Sequence, residues 1–165
     1  MNIIQTKRLS LCEFKPEDAE KMYLLNSDPE VIKYTGDVSF NNIEEAADLI
    51  KKYDHYRKYG FGRWSVFLKD SNEYIGWCGL KYSEERNEYD IGFRFLREYW
   101  NKGFATEAAK SCIELGFTKF KINKIVGRAM LANIGSIKVL ENIGLTYDDK
   151  FDFDGEEGVK YSIEK

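Results

Sequence analysis

Residues 100–106 have the composition of a loop that holds a phosphate group at the start of a helix. They read Trp100-Asn101-Lys102-Gly103-Phe104-Ala105-Thr106. Gly103 and Ala105 are small enough to let a ligand approach the backbone closely. The first amides of a helix lack intrahelical partners, and together with the helix dipole they favour an anion such as pyrophosphate. Lys102 would add positive charge at the rim. Taken alone, however, the run is also typical of an ordinary helix start.

Several other catalytic chemistries do not fit the sequence. His55 is the only histidine, which excludes sites built on two histidines, and no GxSxG elbow is present to complete a catalytic triad. The cysteines Cys12, Cys78 and Cys112 are odd in number and far apart, so neither a disulfide framework nor a zinc site is expected. We therefore predict no bound metal, and we interpret His55 as a solvated surface histidine.

Composition and charge predict one soluble domain. The chain has 165 residues, of which 43% are hydrophobic and 32% charged. Its net charge of −3 argues against a nucleic-acid partner and is consistent with a cationic acceptor. There is no apolar run of the ~20 residues that span a bilayer, and no signal-peptide core. We expect a single domain over residues 1–165 that is cytoplasmic, does not bind membranes, and is a monomer or a homodimer.

Hydrophobic periodicity predicts the elements that position residues 100–106. Strands are expected at 9–14, 63–68, 74–82, 89–95, 124–129 and 160–163, with helices from Pro16, over 43–58, 103–120 and 133–142. Three consecutive strands read as an antiparallel meander, and a β-α-β unit follows them. This order predicts an α/β (α+β) fold with a mixed, mostly antiparallel central sheet of about six to seven strands and helices on both faces.

The run from Ile91 to Ala108 closely resembles the acetyl-CoA motif of the GNAT superfamily of N-acetyltransferases. It is most similar to the branch of the Rim-type ribosomal-protein N-acetyltransferases. Residues 133–145, the opening at 6–11 and the stretch at 28–31 resemble further elements of that branch, so the resemblance covers nearly the whole chain.

Three of the departures from the family pattern concern the expected site most directly. Asn101 replaces a usual glycine, and Arg94 replaces a usual aromatic residue. Leu140 stands where many members of the superfamily carry a tyrosine that protonates the leaving thiolate. Any such acid must therefore come from another residue.

The resemblance implies the GNAT fold and direct transfer of acetyl from acetyl-CoA to a primary amine, a protein N-terminal α-amine being one candidate acceptor. The alternatives are a polyamine or aminoglycoside acetyltransferase, or an acyl-CoA-binding module without catalysis. The residues expected to bind acetyl-CoA are Phe93, Arg94, Phe95, Trp100, Asn101, Lys102, Gly103, Phe104, Ala105, Thr106, Asn133 and Ser136.

Two residues are candidates for proton transfer. Ser136 would protonate the thiolate, and Asp90, with Glu88 and Glu84 as alternatives, would accept the proton of the amine through water. Plainer roles are open for each residue: Asn133 as a helix cap, Ser136 without a catalytic role, and the carboxylates as solvated side chains.

Overall fold

An eight-stranded sheet runs through the computed structural model, which describes residues 2–165. The strands are β1 (Asn2–Gln5), β2 (Leu9–Cys12), β3 (Arg63–Leu68), β4 (Tyr74–Ser83), β5 (Glu88–Phe95), β6 (Lys124–Met130), β7 (Thr146–Phe153) and β8 (Glu156–Glu164). Their order across the sheet is β1-β2-β3-β4-β5-β6-β8-β7. Neighbouring strands are antiparallel, except that β5 and β6 run parallel.

Helices cover both faces of this sheet. They are α1 (Ala19–Ser27), α2 (Pro29–Ile32), α3 (Ile43–Lys52), α4 (His55–Tyr59), α5 (Phe104–Thr118) and α6 (Ile134–Asn142). The long helix α5 packs on β4 and β5 in the main core, while α1 and α3 enclose a second cluster around Met22 and Ile50 on the other face. The predicted fold class is confirmed. Among residues 2–165, no helix is long and apolar enough to cross a membrane.

The sheet has eight strands, compared with the predicted six or seven, and sequence analysis located neither edge strand, β7 nor β1. Strand β1 spans only four residues, too few to show a clear alternation of apolar and polar residues. Its pairing with β2 follows from the tight turn between them, in which the Thr6 amide donates to the Leu9 carbonyl at 2.9 Å.

The parallel strands β5 and β6 separate soon after they begin. Their ladder contains one aligned pair, Asp90 with Val126. Beyond it β5 continues to Phe95 beside β4, and β6 continues to Met130 beside β8. The carboxyl-terminal half of each strand therefore has a strand neighbour on one side only, and a gap opens between them.

The predicted helix over residues 43–58 is wrong in one respect, because the chain leaves the helix at Tyr53 and re-enters it at His55. Tyr53 adopts extended backbone, and its hydroxyl accepts a hydrogen bond from the Arg63 amide at 2.7 Å. The Tyr56 hydroxyl donates to the Arg63 carbonyl and accepts from the Phe14 amide. The helix breaks because both tyrosines turn inward to hold the start of β3.

His55 is likewise not the solvated surface residue that the sequence suggested. Its Nδ1 lies 2.7 Å from the Phe61 carbonyl, and its Nε2 accepts from the Tyr82 amide at 3.0 Å. This pair of bonds requires the neutral ring with its proton on Nδ1. The imidazole thus joins α4 directly to Tyr82 of β4 and to the Phe61 carbonyl.

The core position of Leu140 predicts a large stability difference between two leucine-to-alanine changes. Leu140 is 1% exposed and packs so closely on Gly127 that a Cβ added to this glycine would lie 2.5 Å from Leu140 Cδ2. Leu24 of α1, by contrast, is 48% exposed. We expect Leu140→Ala to cost about 2–5 kcal/mol of unfolding free energy. Leu24→Ala should cost under about 1 kcal/mol in urea titrations. Equal losses in the two variants would contradict this packing of α6.

Candidate active site

A cleft of about 560 Å³ lies between the carboxyl end of β5 and the start of α6, the helix that follows β6. One wall is the carboxyl end of β5 with the turn that follows it, the second is the start of α6, and the third is α2 with the segment after it. The volume lies within the range of cofactor and ligand sites. The free edge of β5 forms part of the wall, so backbone donors and acceptors there are available to a bound molecule.

The turn before α5 contains two residues in the left-handed conformation. Asn101 has φ of 60° and Gly103 has φ of 80°. Glycine adopts this conformation readily, and asparagine tolerates it better than most other residues. Asn101 therefore adopts a backbone conformation that glycine favours, and Phe104, Ala105 and Thr106, whose amides have no intrahelical partners, line the cleft.

The predicted cofactor-binding residues come together around this cleft, with one exception. Those that line it are Phe93, Arg94, Phe95, Trp100, Asn101, Gly103, Phe104, Ala105, Thr106, Asn133 and Ser136. Lys102 is not among the lining residues. Its ammonium lies over the Tyr99 ring at 5.8 Å, and its carbonyl accepts a hydrogen bond from Arg8.

Trp100 closes the end of the free edge of β5. Its indole Nε1 donates to the Phe95 carbonyl at 2.8 Å, while 38% of the residue stays exposed at the cleft. Since Leu96 already donates to the Ile75 carbonyl, the strand ends here on both sides. The Phe95 carbonyl is therefore not available to a ligand, and the backbone that stays open lies before that carbonyl.

Arg94 lines the cleft, and its guanidinium is held by residues of α1 and of the segment after α2. It donates to Asn26 Oδ1 at 2.6 Å and to Asp37 Oδ2 at 2.8 Å, and it lies over the Trp77 ring. With a side chain 12% exposed, it joins α1 and the segment after α2 to β5. This departure from the family pattern therefore fixes one wall of the cleft.

Asn133 and Ser136 lie at the start of α6, as their spacing predicted. Asn133 Oδ1 accepts from the Ser136 amide at 3.2 Å, which is the geometry of a helix N-cap. Capping uses the amide oxygen and leaves the Asn133 NH₂ group for the cleft. Leu140 is buried under Gly127 in the core, which explains why α6 can carry a leucine there.

Asp90 lies outside the cleft. Its carboxylate accepts from Arg63 Nη2 at 2.6 Å, and the two side chains are 20% and 17% exposed. The alternatives are also engaged, because Glu88 pairs with Arg128 and Glu84 accepts from the Tyr59 hydroxyl. Each of these carboxylates has a partner, and a role of Asp90 as base stays a prediction.

One wall of the cleft was missed by sequence analysis. Glu30, Val31, Lys33, Tyr34 and Thr35 line it, from α2 and the residues that follow. The resemblance at residues 28–31 was a signal that this stretch matters, but nothing in the local sequence predicts that it meets β5. The Arg97 guanidinium, in the turn after β5, binds the Asp28 carboxylate at the start of α2, and this hydrogen bond lowers the pKa of the Asp28 carboxyl.

Comparisons with known proteins agree with this arrangement. Residues 8–146 match the model of the acetyltransferase (GNAT) domain. An uncharacterized N-acetyltransferase p20 from Bacillus licheniformis is 34% identical over 145 residues, which are 87% of this chain and 82% of that protein. The chain thus belongs to the GNAT acetyltransferase family. Its members are enzymes that take acetyl from acetyl-CoA.

Two solved structures share the fold at low sequence identity. Spermidine N-acetyltransferase from Vibrio cholerae, in complex with CoA and spermine, has a TM-score of 0.81 at 18% identity, covering 96% of each chain. Ribosomal-protein-S5-alanine acetyltransferase from Vibrio fischeri has a TM-score of 0.82 at 17% identity, covering 98% of this chain and 95% of that one. The fold is therefore shared by enzymes whose names give different acceptors.

The left-handed backbone at Gly103 predicts a defect confined to the cleft. A Cβ at this position would meet Arg8 Nη2 at 3.3 Å, so the main cost of Gly103→Ala is backbone strain of roughly 1–2 kcal/mol. Gly155, with φ of 100° in the β7–β8 turn and nothing within 4 Å, is a matched control. Both variants should lower the melting temperature, but only Gly103→Ala should weaken CoA binding in calorimetry. Equal CoA affinity in both would contradict a phosphate site at residues 101–106.

Proposed function

We propose that this enzyme binds acetyl-CoA in the cleft between β5 and β6 and transfers the acetyl group to a primary amine, with a protein N-terminal α-amine as the favoured acceptor. The observation that carries the proposal is the meeting of a free strand edge and an open helix start in one cleft. The first suits an amide-bearing pantetheine arm, and the second suits a diphosphate.

The residues present fit this co-substrate. The amides at Phe104, Ala105 and Thr106 begin a helix of 15 residues and would receive the diphosphate. The open edge at Phe93 to Phe95 would bond the pantetheine arm as an added strand does, and the Asn133 NH₂ group would bond the same arm from the other wall. Bound there, acetyl-CoA supplies a thioester carbonyl that an amine can attack.

Within this arrangement the protein mainly positions the reacting groups. The new bond joins the amine nitrogen to the acetyl carbon, and the carbon–sulfur bond breaks. Amides of β5 would stabilise charge on the carbonyl oxygen, as an oxyanion hole does. The Ser136 hydroxyl would give a proton to the departing thiolate, and the amine would lose one to water or a base. Holding both partners in one cleft contributes much of the rate.

The engaged state of the nearby carboxylates favours an acceptor that needs little help to lose its proton. Asp90, Glu88 and Glu84 each hold a cation or a hydroxyl, so none stands free to act as base. A protein α-amine has a pKa of about 7.7–8.0, whereas a lysine-like amine has about 10.4. A useful fraction of α-amine is therefore neutral near pH 7.

Similarity to the Rim-type branch supports the same choice, and ribosomal-protein-S5-alanine acetyltransferase shares the fold. A polyamine is the second candidate, because spermidine N-acetyltransferase shares the fold too. The pairing of Asp90 and Glu88 with arginines leaves these two carboxylates little free charge for a polycation. A module that binds acyl-CoA without catalysis is the remaining alternative.

The function is tested by binding and by turnover. Acetyl-CoA at ~100 times its dissociation constant should stabilise the fold by about 2.7 kcal/mol, and ATP should not. CoA release should be fast with a peptide bearing a free α-amine and slow with its Nα-blocked, lysine-containing counterpart and with spermidine. Absence of a thermal shift would contradict the acetyl-CoA site. Binding without turnover of any amine would support the module, and preference for spermidine would overturn the α-amine assignment.

Substitutions at the start of α6 separate binding from chemistry. Asn133→Ala should weaken acetyl-CoA binding roughly threefold to tenfold. It also removes a helix cap, at a cost of about 1 kcal/mol. Asn133→Ser is the control, because serine keeps the cap oxygen but not the NH₂ group, so it should lose affinity and retain stability.

Ser136→Ala should instead act on turnover. General acid catalysis contributes about 10²–10⁴ in rate, but a thiol with pKa near ~8.5 leaves readily. We therefore expect a loss in kcat of less than about a hundredfold. Binding of acetyl-CoA should be nearly unchanged. Loss of binding with unchanged turnover of the bound complex would reverse the roles given to Asn133 and Ser136.

A further inference from the structure

The turn between β1 and β2 contacts the start of α5 through a dense set of hydrogen bonds. Arg8 Nε donates to Glu107 Oε1 at 2.8 Å, and Arg8 Nη1 donates to the Lys102 carbonyl at 2.9 Å. The Arg8 amide donates to Glu107 Oε2 at 2.9 Å, and the Thr6 hydroxyl donates to the same oxygen. One side chain thus bonds both to the turn before α5 and to the first turn of the helix.

Arg8 also packs on the residues between those two bonds. Its guanidinium lies 4.2 Å from the centre of the Phe104 ring. A Cβ added to Gly103 would lie 3.3 Å from Arg8 Nη2. Residues 102, 103 and 104 therefore all meet the same guanidinium, although they lie nearly a hundred positions along the chain from it. Two residues of this stretch, Gly103 and Phe104, line the cleft.

Glu107 holds this guanidinium in a fixed orientation. Burial tends to raise the pKa of the Glu107 carboxyl, but hydrogen bonds from Thr6 and Arg8 outweigh burial, and the net result is a pKa below the ordinary value. The carboxylate is therefore charged at neutral pH and compensates the charge of Arg8. Because the charges of this pair cancel, its effect on the cleft is chiefly geometric. Two bonds at fixed angles suit a guanidinium and do not suit an ammonium.

We propose that Arg8, oriented by Glu107, is a positioning residue that holds residues 102–104 in the conformation that presents the first amides of α5 to the diphosphate of acetyl-CoA. This inference rests on the proposed function. It goes further in assigning part of the cofactor affinity to a side chain outside the cleft, on an edge hairpin of the sheet. Arg8 acts on the nucleotide end of the ligand and leaves the pantetheine end unaffected.

The test compares two ligands that differ in the diphosphate. Binding of CoA and of pantetheine, which lacks the nucleotide and diphosphate, is measured by calorimetry on the full chain for wild type, Arg8→Lys and Glu107→Gln. Arg57→Lys is the control, because Arg57 pairs with Asp54 on the surface of α4. Arg8→Lys keeps the charge and most of the stem, and it should weaken CoA binding about tenfold with pantetheine binding unchanged. Glu107→Gln should act in the same direction, and Arg57→Lys should have no effect.

A merely structural role for Arg8 gives a different pattern. Destabilisation of the whole fold would weaken the binding of both ligands together or of neither. An unchanged ratio of CoA affinity to pantetheine affinity in Arg8→Lys and Glu107→Gln therefore overturns the proposal. Should Arg8→Lys not fold, the ratio in Glu107→Gln decides. Failure of wild type to bind CoA contradicts the proposed function instead, so the two ideas fail separately.

Discussion

The separation of β5 from β6 after a single aligned pair, Asp90 with Val126, is the constraint on which the rest of the site depends. A parallel ladder continued to Phe95 would satisfy the backbone of both strands and leave no cleft. Separation leaves polar backbone without a strand partner, which a folded protein tolerates where water or a ligand completes the bonds. Each strand is stabilised from its other side, β5 by β4 and β6 by β8, so the gap is held open by the sheet itself.

Charge on the face opposite α5 is arranged in compensated pairs. Arg63 with Asp90, Arg94 with Asp37, and Arg128 with Glu88 follow one another across β3, β5 and β6. Removing one partner of a partly buried ion pair lowers the stability of the fold, because the remaining charge stays desolvated. They fix the relative positions of the strands and of the segment after α2.

Sequence alone was enough to predict the fold class, which is confirmed, and eleven of the twelve residues expected to bind the cofactor line the cleft. This worked where geometry is local: Gly103 and Asn101 set their own turn, and Asn133 caps the helix that follows it. Prediction from the sequence failed where a side chain bonds to a residue far away in the chain. Nothing near Asp90 reveals that Arg63, 27 positions away, engages its carboxylate. The break in the predicted helix at Tyr53 has the same cause, because the Tyr53 hydroxyl accepts a hydrogen bond from the Arg63 amide at the start of β3.

The contact between the β1–β2 turn and the start of α5 joins positions 99 residues apart in the chain. Local turns and helices form early in folding, whereas contacts of such sequence separation carry a large loop-closure entropy and form after their elements have docked. During synthesis, residue 107 must leave the ribosome before Arg8 can meet its partner. The turn before α5 is therefore completed only when the β1–β2 turn has docked on it. CoA would then be a probe of finished folding, since partly folded chains would not retain it.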